Sequence, residues 1–352
     1  MKKGGGITVL GFPFAAGAAA AQLLGHPEIT ASAAVAVILF SLAVVTMRRK
    51  GAVPPMLLLY FALGVLCRCT EALAGGIRHA VAFPGAIDAL AAAIEDAGFP
   101  GKHSAAIVTA LLTGRRSALD KTTVAAFRSS GAAHILALSG LHLGVIYIVL
   151  RRLLSPLGNT PAGRFARSTL TVGICAAYAM ATGAGPSITR AFLFIAINET
   201  ASSMSGRSHS PLATFSLALT IQLALHPSLI ASAGFQLSYL AMLGIIVLYP
   251  QLESWYPATS RADPLRRIWK TAALSISCQL FTAPAAWWHF RSLPRYFLIT
   301  NLIALPLTEL IIVTALLSLT LGAAGIRPPA LVNACGNLVQ LLEFCLETIS
   351  SL

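Results

Sequence analysis

Charged residues are scarce in this chain. Asp, Glu, Lys and Arg make up 11% of its 352 residues, while 56% of the residues are hydrophobic. Soluble domains carry about 25% charged residues, so the composition excludes an ordinary soluble protein. The mean hydropathy of +0.77 predicts an integral membrane protein. Because a helix satisfies its own backbone hydrogen bonds in lipid, we expect an all-α fold.

Acidic residues are scarcer than basic ones, 12 against 25, which leaves a net charge of +13. In a soluble protein such an excess indicates nucleic acid or an anionic surface as the partner. The cytoplasmic loops of membrane proteins are rich in Lys and Arg in any case. We therefore assign most of the excess to such loops.

Signatures of metal sites and of enzymes are missing from the sequence. The six cysteines are scattered without CxxC or Cys/His spacing, which indicates neither a metal site nor a disulfide framework. No Walker A pattern occurs, and Ala137 stands where the GxSG pattern of rhomboid-type proteases has its first Gly. We expect no cofactor, no metal and no enzymatic activity.

Apolar runs predict about eleven transmembrane helices, within a range of about nine to thirteen. The basic loops fall on one side of the alternating count, and the positive-inside rule makes that side cytoplasmic. We expect a multi-pass protein of the bacterial inner membrane with a cytoplasmic N-terminus and an uncleaved first helix. The predicted spans are 7–24, 28–46, 53–69, 131–150, 168–184, 187–205, 211–229, 232–250, 271–290, 296–322 and 330–350.

Four segments follow from this pattern. N-terminal helices occupy 1–69, an extracytoplasmic or interfacial segment occupies 70–130, the functional core occupies 131–322, and a C-terminal helix occupies 323–352. Basic residues on the translocated side of the membrane are unusual, so those of the second segment either lie on an interfacial amphipathic helix or face an anionic ligand. In addition, Asp120 suits the N-cap of a helix that leads to Phe127.

The stretch 131–150 is long enough to cross a bilayer, yet it carries His134, Ser139 and His142 in its apolar run. Taken as one helix, it places these three side chains within an arc of about 140°. Gly140 lies on a separate face of small residues, which lets a neighbouring helix approach. A polar arc in lipid faces the bundle interior or a watery path. Hydrogen bonding between helices and the lining of a path are both compatible with this pattern.

Arg190 follows a Gly- and Pro-containing break at the start of a predicted span. The free amides and the positive end of such a helix attract anions, and a guanidinium suits phosphate. Snorkelling of Arg190 to the interface is the alternative interpretation.

Two other polar positions lie within predicted spans. Gln236 and Ser238 do not share a helix face unless Gly234 breaks the helix, and hydrogen bonding between helices is the expected role of Gln236. Glu309 lies in the middle of a span, where a carboxylate is a candidate functional group. The residues alone leave its role open.

Three blocks follow one another between residues 105 and 320. They are LLTGRRSALDKTTVAAFRSSGAAHILALSGLHLGVI, then GAGPSITRAFLF with SGRSHSPLATFSLALTIQLALHPSLIASAGFQLSYLAMLGIIVL, then SCQLFTAPAAWWHFRSLPRYFLITNLIALPL. In this order they resemble the signature of the ComEC competence-protein family. The matching positions are Gly131, His134, Ser139, Gly140, Leu141, His142, Pro186, Arg190, Ala191, Arg207, Pro227, Gly234, Phe235, Gln236, Leu237, Ser238, Asn301, Leu305 and Pro306.

The resemblance implies a channel that moves single-stranded DNA across the cytoplasmic membrane during natural transformation. It also implies an outer-face DNA receptor and a cytoplasmic helicase-like ATPase as partners. Full-length members of the family carry an OB-like domain and a metallo-β-lactamase-like domain. This sequence has no HxHxDH run, so we expect a channel-only form without nuclease activity.

We predict that the protein conducts single-stranded DNA inward through the lipid bilayer. Basic residues would gather the strand by neutralising phosphates; they are Lys102, Arg115, Arg116, Lys121 and Arg128. The path would be lined by His134, Ser139, Gly140, His142, Arg190 and Gln236. Structural positions of the family pattern are Gly131, Pro186, Gly234, Phe235, Ser238, Asn301 and Pro306.

Two other classes of protein fit parts of the sequence. A proton-coupled secondary transporter of a small anionic or lipid-linked substrate would use the same broken helices, with Glu309 as its proton site. Such a carrier should fail in Glu309→Gln, whereas a DNA conduit should not. A membrane scaffold would tolerate changes at His134, Ser139 and His142 alike.

Overall fold

The computed structural model of the chain describes residues 9–24, 26–47, 53–74, 84–136, 138–158, 160–205, 210–257 and 263–351. Within these ranges the chain forms α-helices joined by short turns, and each predicted span overlaps one helix except 131–150 and 232–250, which each overlap two. The helices are α1 (Gly11–Leu23), α2 (Pro27–Met47), α3 (Val53–Leu73), α4 (Pro84–Asp96), α5 (Gly101–Thr113), α6 (Lys121–Ser129), α7 (Ala133–Leu136), α8 (Gly140–Leu153), α9 (Pro161–Ala181), α10 (Pro186–Ser205), α11 (Pro211–Leu225), α12 (Ala233–Val247), α13 (Tyr249–Ser254), α14 (Pro264–Phe290), α15 (Phe297–Ala323) and α16 (Pro329–Ser350).

Length and composition identify membrane-spanning candidates among these helices. A helix needs about 20 apolar residues to cross the hydrocarbon core. Five segments of the described chain meet this requirement: Pro27–Val45, Val53–Leu73, Ala233–Ser254, Phe297–Ala323 and Pro329–Ser350. The expectation of an all-helical, multi-pass membrane protein is confirmed at this level.

The chain divides into two compact units. Unit 1 comprises residues 1–80 and 193–246, and unit 2 comprises residues 81–192 and 247–352. Each unit draws on more than one of the four predicted sequence segments. The segment boundaries therefore stay a prediction.

Unit 1 is built on a close crossing of α1 and α3. A Cβ added at Gly17 would lie 1.9 Å from the Phe61 carbonyl oxygen, and one added at Gly64 would lie 2.0 Å from the Phe14 carbonyl oxygen. Only glycine lets two helix backbones approach this closely. Beside this crossing, an aromatic cluster joins α11 and α12, with the Phe215 and Tyr239 ring centroids 5.5 Å apart.

Unit 2 has its core between α5, α6, α15 and α16. Its fully buried side chains include Leu111, Phe127, Ile311 and Leu342. The amphipathic pattern predicted near residue 120 corresponds to α6, which buries Phe127 and exposes Lys121. The burial of α5 was not foreseen from the sequence.

The prediction of one continuous helix over 131–150 is wrong. α7 ends at Leu136 and α8 begins at Gly140, so His134 and His142 lie on separate helices. The calculated arc that joined His134, Ser139 and His142 does not exist, because it assumed one helical screw through all three positions.

Candidate functional site

The candidate site is centred on the break between α7 and α8. Ser139 has the extended backbone angles φ −108° and ψ 163° and occupies the N-cap of α8. Its Oγ accepts a hydrogen bond from the Leu141 amide at 3.2 Å, and its own amide donates to His142 Nδ1 at 3.4 Å. This is a capping box in which His replaces the usual Glu or Gln. It explains why an unbroken apolar run starts a new helix here.

His142 is fully buried, with 0% of its surface exposed. Because Nδ1 accepts a hydrogen bond, the neutral ring carries its hydrogen on Nε2. This Nε2 is enclosed and has no hydrogen-bond partner in the part of the chain that the structure describes. It is therefore a donor available to a bound molecule. His134, in contrast, is exposed, and its Nδ1 lies 3.2 Å from the Gly131 carbonyl oxygen.

Gly131 positions the start of α7. Its φ of +88° lies in the left-handed region, which favours glycine. A Cβ at this position would lie 2.6 Å from the Pro294 Cβ. Next to it, the Thr300 hydroxyl donates to the Ser130 carbonyl oxygen at 2.6 Å. These contacts hold the start of α7 against the start of α15.

The first turns of α8 and α10 pack against each other. A Cβ at Gly140 would lie 3.1 Å from the Ala191 Cβ and 3.2 Å from Arg190 Nη2. Gly140 therefore leaves room for the Arg190 guanidinium at the N-terminus of α8. α10 begins at Pro186, one residue before the predicted span 187–205. Its start follows two left-handed residues, Gly183 at φ +81° and Ala184 at φ +48°.

Positive charge converges at this packing contact. Arg190 is buried, with 8% of its surface exposed, and helix N-termini carry a partial positive charge. The Cys278 thiol of α14 lies close enough to the Arg190 guanidinium for an electrostatic interaction. Backbone amides at helix starts, together with a guanidinium, suit a phosphate group. The arrangement has the charge and the donors of an anion site.

α15 carries a further polar face in unit 2. Asn301 and Thr308 are seven residues apart and so lie on one side of the helix. Asn301 Oδ1 and Thr308 Oγ1 are enclosed without a hydrogen-bond partner among the described residues. Pro306 lies inside this helix and is exposed, and Glu309 is exposed as well. Glu309 therefore points away from the packed face of α15.

The predicted positions on α12 belong to unit 1. Gln236 Nε2 donates to the Ile230 carbonyl oxygen at 2.8 Å, so this side chain reaches the preceding 3-10 turn, Pro227–Ala231. Phe235 and Ser238 are buried. Gly234 is the second residue of α12 and lies at its start.

Two buried polar residues of unit 1 were missed by the sequence analysis. Glu199 of α10 is buried, although its place inside a predicted span was a readable signal. Gln222 of α11 is also buried and accepts a hydrogen bond from the Tyr239 hydroxyl at 2.9 Å. This pairing of α11 with α12 has no sequence signature.

The predicted DNA-gathering residues differ in their partners. Arg115 Nη1 lies 2.5 Å from Asp88 Oδ1, and Arg116 Nε donates to the Leu136 carbonyl oxygen at 3.1 Å. Lys121 and Arg128 are exposed at the two ends of α6. The side chain of Lys102 lies outside the described residues.

Asp120 occupies the predicted N-cap position of α6, but its side chain makes no capping hydrogen bond. Asp120 Oδ2 lies 3.7 Å from His103 Nδ1 instead. In the described ranges, no group of three or more His, Cys, Asp or Glu side chains is arranged to hold a metal ion.

The helical fold, with apolar spans and polar groups enclosed between them, defines a multi-pass α-helical membrane protein. Residues 111–352 match the family described as Competence protein. This match covers more than half of the chain, so the chain belongs to the competence protein family.

Two curated relatives share part of this region. ComE operon protein 3 of Bacillus subtilis (strain 168) is 28% identical over 206 residues, which cover 58% of this chain and 24% of the relative. Uncharacterized protein YcaI of Escherichia coli (strain K12) is 27% identical over 219 residues, which cover 60% of this chain and 28% of that protein. The matched region thus spans about a quarter of each relative's length. No solved structure matches the chain.

Proposed function

We propose that this protein conducts single-stranded DNA inward across the bacterial inner membrane during natural transformation. Membership of the competence protein family supports a role in DNA uptake. The observation that carries the conduit proposal is the buried Arg190 guanidinium, set against the N-terminus of α8 inside a membrane protein. A fixed cation in a membrane interior is energetically costly and marks a pathway for charged cargo.

Within unit 2, Ser139, Gly140, His142 and Arg190 would form one phosphate subsite of the path. Arg190 supplies charge, and His142 Nε2 supplies a neutral donor. A single enclosed cation attracts each phosphate without trapping the strand, since conduction needs binding weak enough for release. His134 and Gln236 stay predicted path residues, His134 on an exposed surface of unit 2 and Gln236 in unit 1.

The proposal also includes the finer topology and the partners. We propose about eleven spans, a cytoplasmic N-terminus and basic residues of α6 that gather the strand on the outer face. An outer-face DNA receptor would deliver the strand, and a cytoplasmic helicase-like ATPase would supply the pulling force.

The test is import of labelled donor DNA in the host strain, scored as DNA protected from external nuclease. A deletion is complemented with the wild type, Arg190→Gln or Arg164→Gln. The last variant removes the same charge from an exposed position on α9. Because a hydrogen bond to a charged group contributes about 1.5–3 kcal/mol, we expect Arg190→Gln to lower import about tenfold or more. Arg164→Gln should import normally.

All variants must reach the membrane in equal amounts, and surface-bound DNA should be unchanged by Arg190→Gln. Normal import in the deletion strain would overturn the proposal. Glu309→Gln then tests the proton-coupled transporter, whose activity it should abolish. Equal import by Arg190→Gln and Arg164→Gln would remove the phosphate subsite from the path.

A further inference from the structure

Two short helices in the segment before the α7–α8 break fold back on each other. α4 and α5 have 13 residues each, so each is about 20 Å long at about 1.5 Å per residue. This is shorter than the hydrocarbon core of about 30 Å. The turn between them contains Gly98 at φ +75° and Gly101 at φ +77°. Arg115 and Asp88 tie the open end of the hairpin together at 2.5 Å.

The tip of this hairpin lies at the turn between two spanning helices. Arg327, in the connection between α15 and α16, donates from Nη1 to the Asp96 carbonyl oxygen at 3.1 Å. The Pro100 ring fills a notch in α16, because a Cβ at Gly336 would lie 2.1 Å from the Pro100 Cγ. Ala97 and Gly322 line one cavity of about 200 Å³ at the same place.

After the hairpin, the chain reaches the N-terminal end of α15. Gly131 packs against Pro294, and Ser130 accepts the hydrogen bond from Thr300. Between Pro100 and Gly131 the polypeptide has therefore followed α15 from its C-terminal end to its N-terminal end. A hairpin of two helices too short to cross the bilayer is stable at membrane depth only when protein surrounds it, because lipid offers no partners for its backbone groups.

α5 occupies the centre of unit 2. Ile107, Val108 and Leu111 are each 0% exposed, and α5 packs against α7, α15 and α16. Its carboxyl end reaches the candidate site, since a Cβ at Gly114 would lie 3.3 Å from the Cδ1 of Leu138, the neighbour of Ser139. α5 therefore fills the space between α7, α15 and α16, and a strand could pass there only if α5 moved.

We propose that α4 and α5 form a helical plug, seated with its tip on the α15–α16 turn, which has to withdraw before a strand can pass. The withdrawal step rests on the proposed DNA conduit, whereas the position of the hairpin tip on the α15–α16 turn does not. Withdrawal exchanges apolar contacts with protein for contacts with equally apolar lipid tails, so its main cost lies in the polar contacts that open. The polar contacts that must open include Arg327 to Asp96 and the Tyr178 hydroxyl to the Leu112 carbonyl oxygen, at 2.7 Å.

A reversible crosslink tests both parts of the proposal in the full chain. The part-exposed cysteines Cys67, Cys278 and Cys345 are first replaced by Ser in a background that still imports DNA. Ala97→Cys is combined with Ala323→Cys, which line the same cavity at the seat. The cells receive a short bifunctional maleimide with a cleavable linker. Crosslinked peptides are identified by mass spectrometry, and import of labelled DNA is measured before and after cleavage.

The matched control pairs Ala97→Cys with Leu293→Cys, which lies beyond the other end of α15. We expect a crosslink only in the first pair, and import should fall to the level of the deletion strain and return after cleavage. If no crosslink forms between positions 97 and 323, or if the control pair crosslinks to the same extent, the hairpin tip is not seated on the α15–α16 turn. A complete crosslink with undiminished import would overturn the withdrawal step.

The outcome separates the plug from the proposed function. If the protein proves not to import DNA at all, the crosslink still decides whether the hairpin is seated. In that case the conduit proposal fails, and the withdrawal step fails with it.

Discussion

Units 1 and 2 differ in how they use glycine. All described residues with positive φ lie in unit 2, nine in number: Gly98, Gly101, Gly114, Gly131, Gly158, Gly183, Ala184, Arg291 and Gly325. The glycines of unit 1 that the structure describes are helical, and Gly17 and Gly64 bring two backbones into contact. In unit 2, glycine allows close packing at Gly140 and Gly336 but also lies at turns and helix ends.

This difference indicates where function can lie. A continuous transmembrane helix contacts its neighbours only through side chains. A helix that ends inside the protein also presents unpaired backbone amides and the partial charge of its terminus. Interruptions of this kind are tolerated at membrane depth only when protein surrounds them. Unit 2 meets that condition at Ser139, where a helix start is buried beside Arg190. No described residue of unit 1 has a positive φ, and we interpret this unit as a scaffold.

The largest effect should come from filling the helix contact of unit 1. In Gly64→Val the new Cβ meets the Phe14 carbonyl oxygen at 2.0 Å. A backbone atom in a packed helix cannot move aside, so we expect destabilisation of about 3 kcal/mol or more and little folded protein. Gly173→Val on α9 is the control, because it has open space around its Cβ. Thermal unfolding and size exclusion in detergent measure the difference, and equal melting of the two variants would refute the scaffold interpretation.

Filling the notch at Gly336 of α16 should destabilise the fold less than Gly64→Val does. In Gly336→Ala the Cβ meets the Pro100 ring at 2.1 Å, but this ring sits on a turn that can shift. We expect destabilisation of about 1–2 kcal/mol, together with weaker Ala97–Ala323 crosslinking. Gly322→Ala, with open space on the adjacent helix, should be neutral or slightly stabilising because Ala favours helix. If Gly336→Ala matches Gly322→Ala in both measurements, the tip does not occupy the notch.

The sequence predicts the regular parts of this fold well and the interruptions poorly. Long apolar runs report the spans because lipid imposes one physical requirement on each residue. The α7–α8 break is invisible to that criterion, since the run continues through it. Its signal was local: Ser139 three residues before His142 is a capping box with an unusual partner. The burial of α5 depends on packing between residues more than 200 positions apart, such as Pro100 and Gly336, and no short pattern encodes it.

The candidate site shows the same division. Pro186 at the start of α10 could be predicted because proline suits the first helical turn. The contact of Gly140 with Arg190 could not, because it depends on how two helix starts cross. Nor does the composition of the 70–130 segment reveal that Arg115 is paired with Asp88.

Two helix caps of similar strength separate stability from function in unit 2. Ser139 caps α8 at the candidate site, and Thr160 caps α9, where its hydroxyl accepts from the Gly163 amide at 3.1 Å. Replacing either by Ala should cost about 1 kcal/mol. We expect DNA import to fall clearly in Ser139→Ala and to stay near the wild-type level in Thr160→Ala. Equal import at equal membrane abundance would make Ser139 a structural cap and nothing more.

The smallest effects should come from the exposed charges around α6. Arg115 is partly neutralised by Asp88, whereas Arg128 is exposed in the last turn of α6. Surface ion pairs contribute about 0–1 kcal/mol, so Arg115→Gln and Arg128→Gln should fold equally well. If these cations gather DNA, Arg128→Gln should lower the salt dependence of surface binding by about one phosphate contact. Arg115→Gln should lower it less.

Asp88→Asn provides the opposite perturbation. Removing this carboxylate frees the charge of Arg115, so DNA binding at the cell surface should become stronger and more sensitive to salt. Donor DNA retained on intact cells across a series of salt concentrations measures the slope for each variant. The order expected is Asp88→Asn steepest, then wild type, Arg115→Gln and Arg128→Gln. Identical slopes in all four would mean that the basic residues of this segment contact lipid headgroups or protein rather than DNA. A charge that contacts no phosphate releases no counterion from the strand and so does not change the slope.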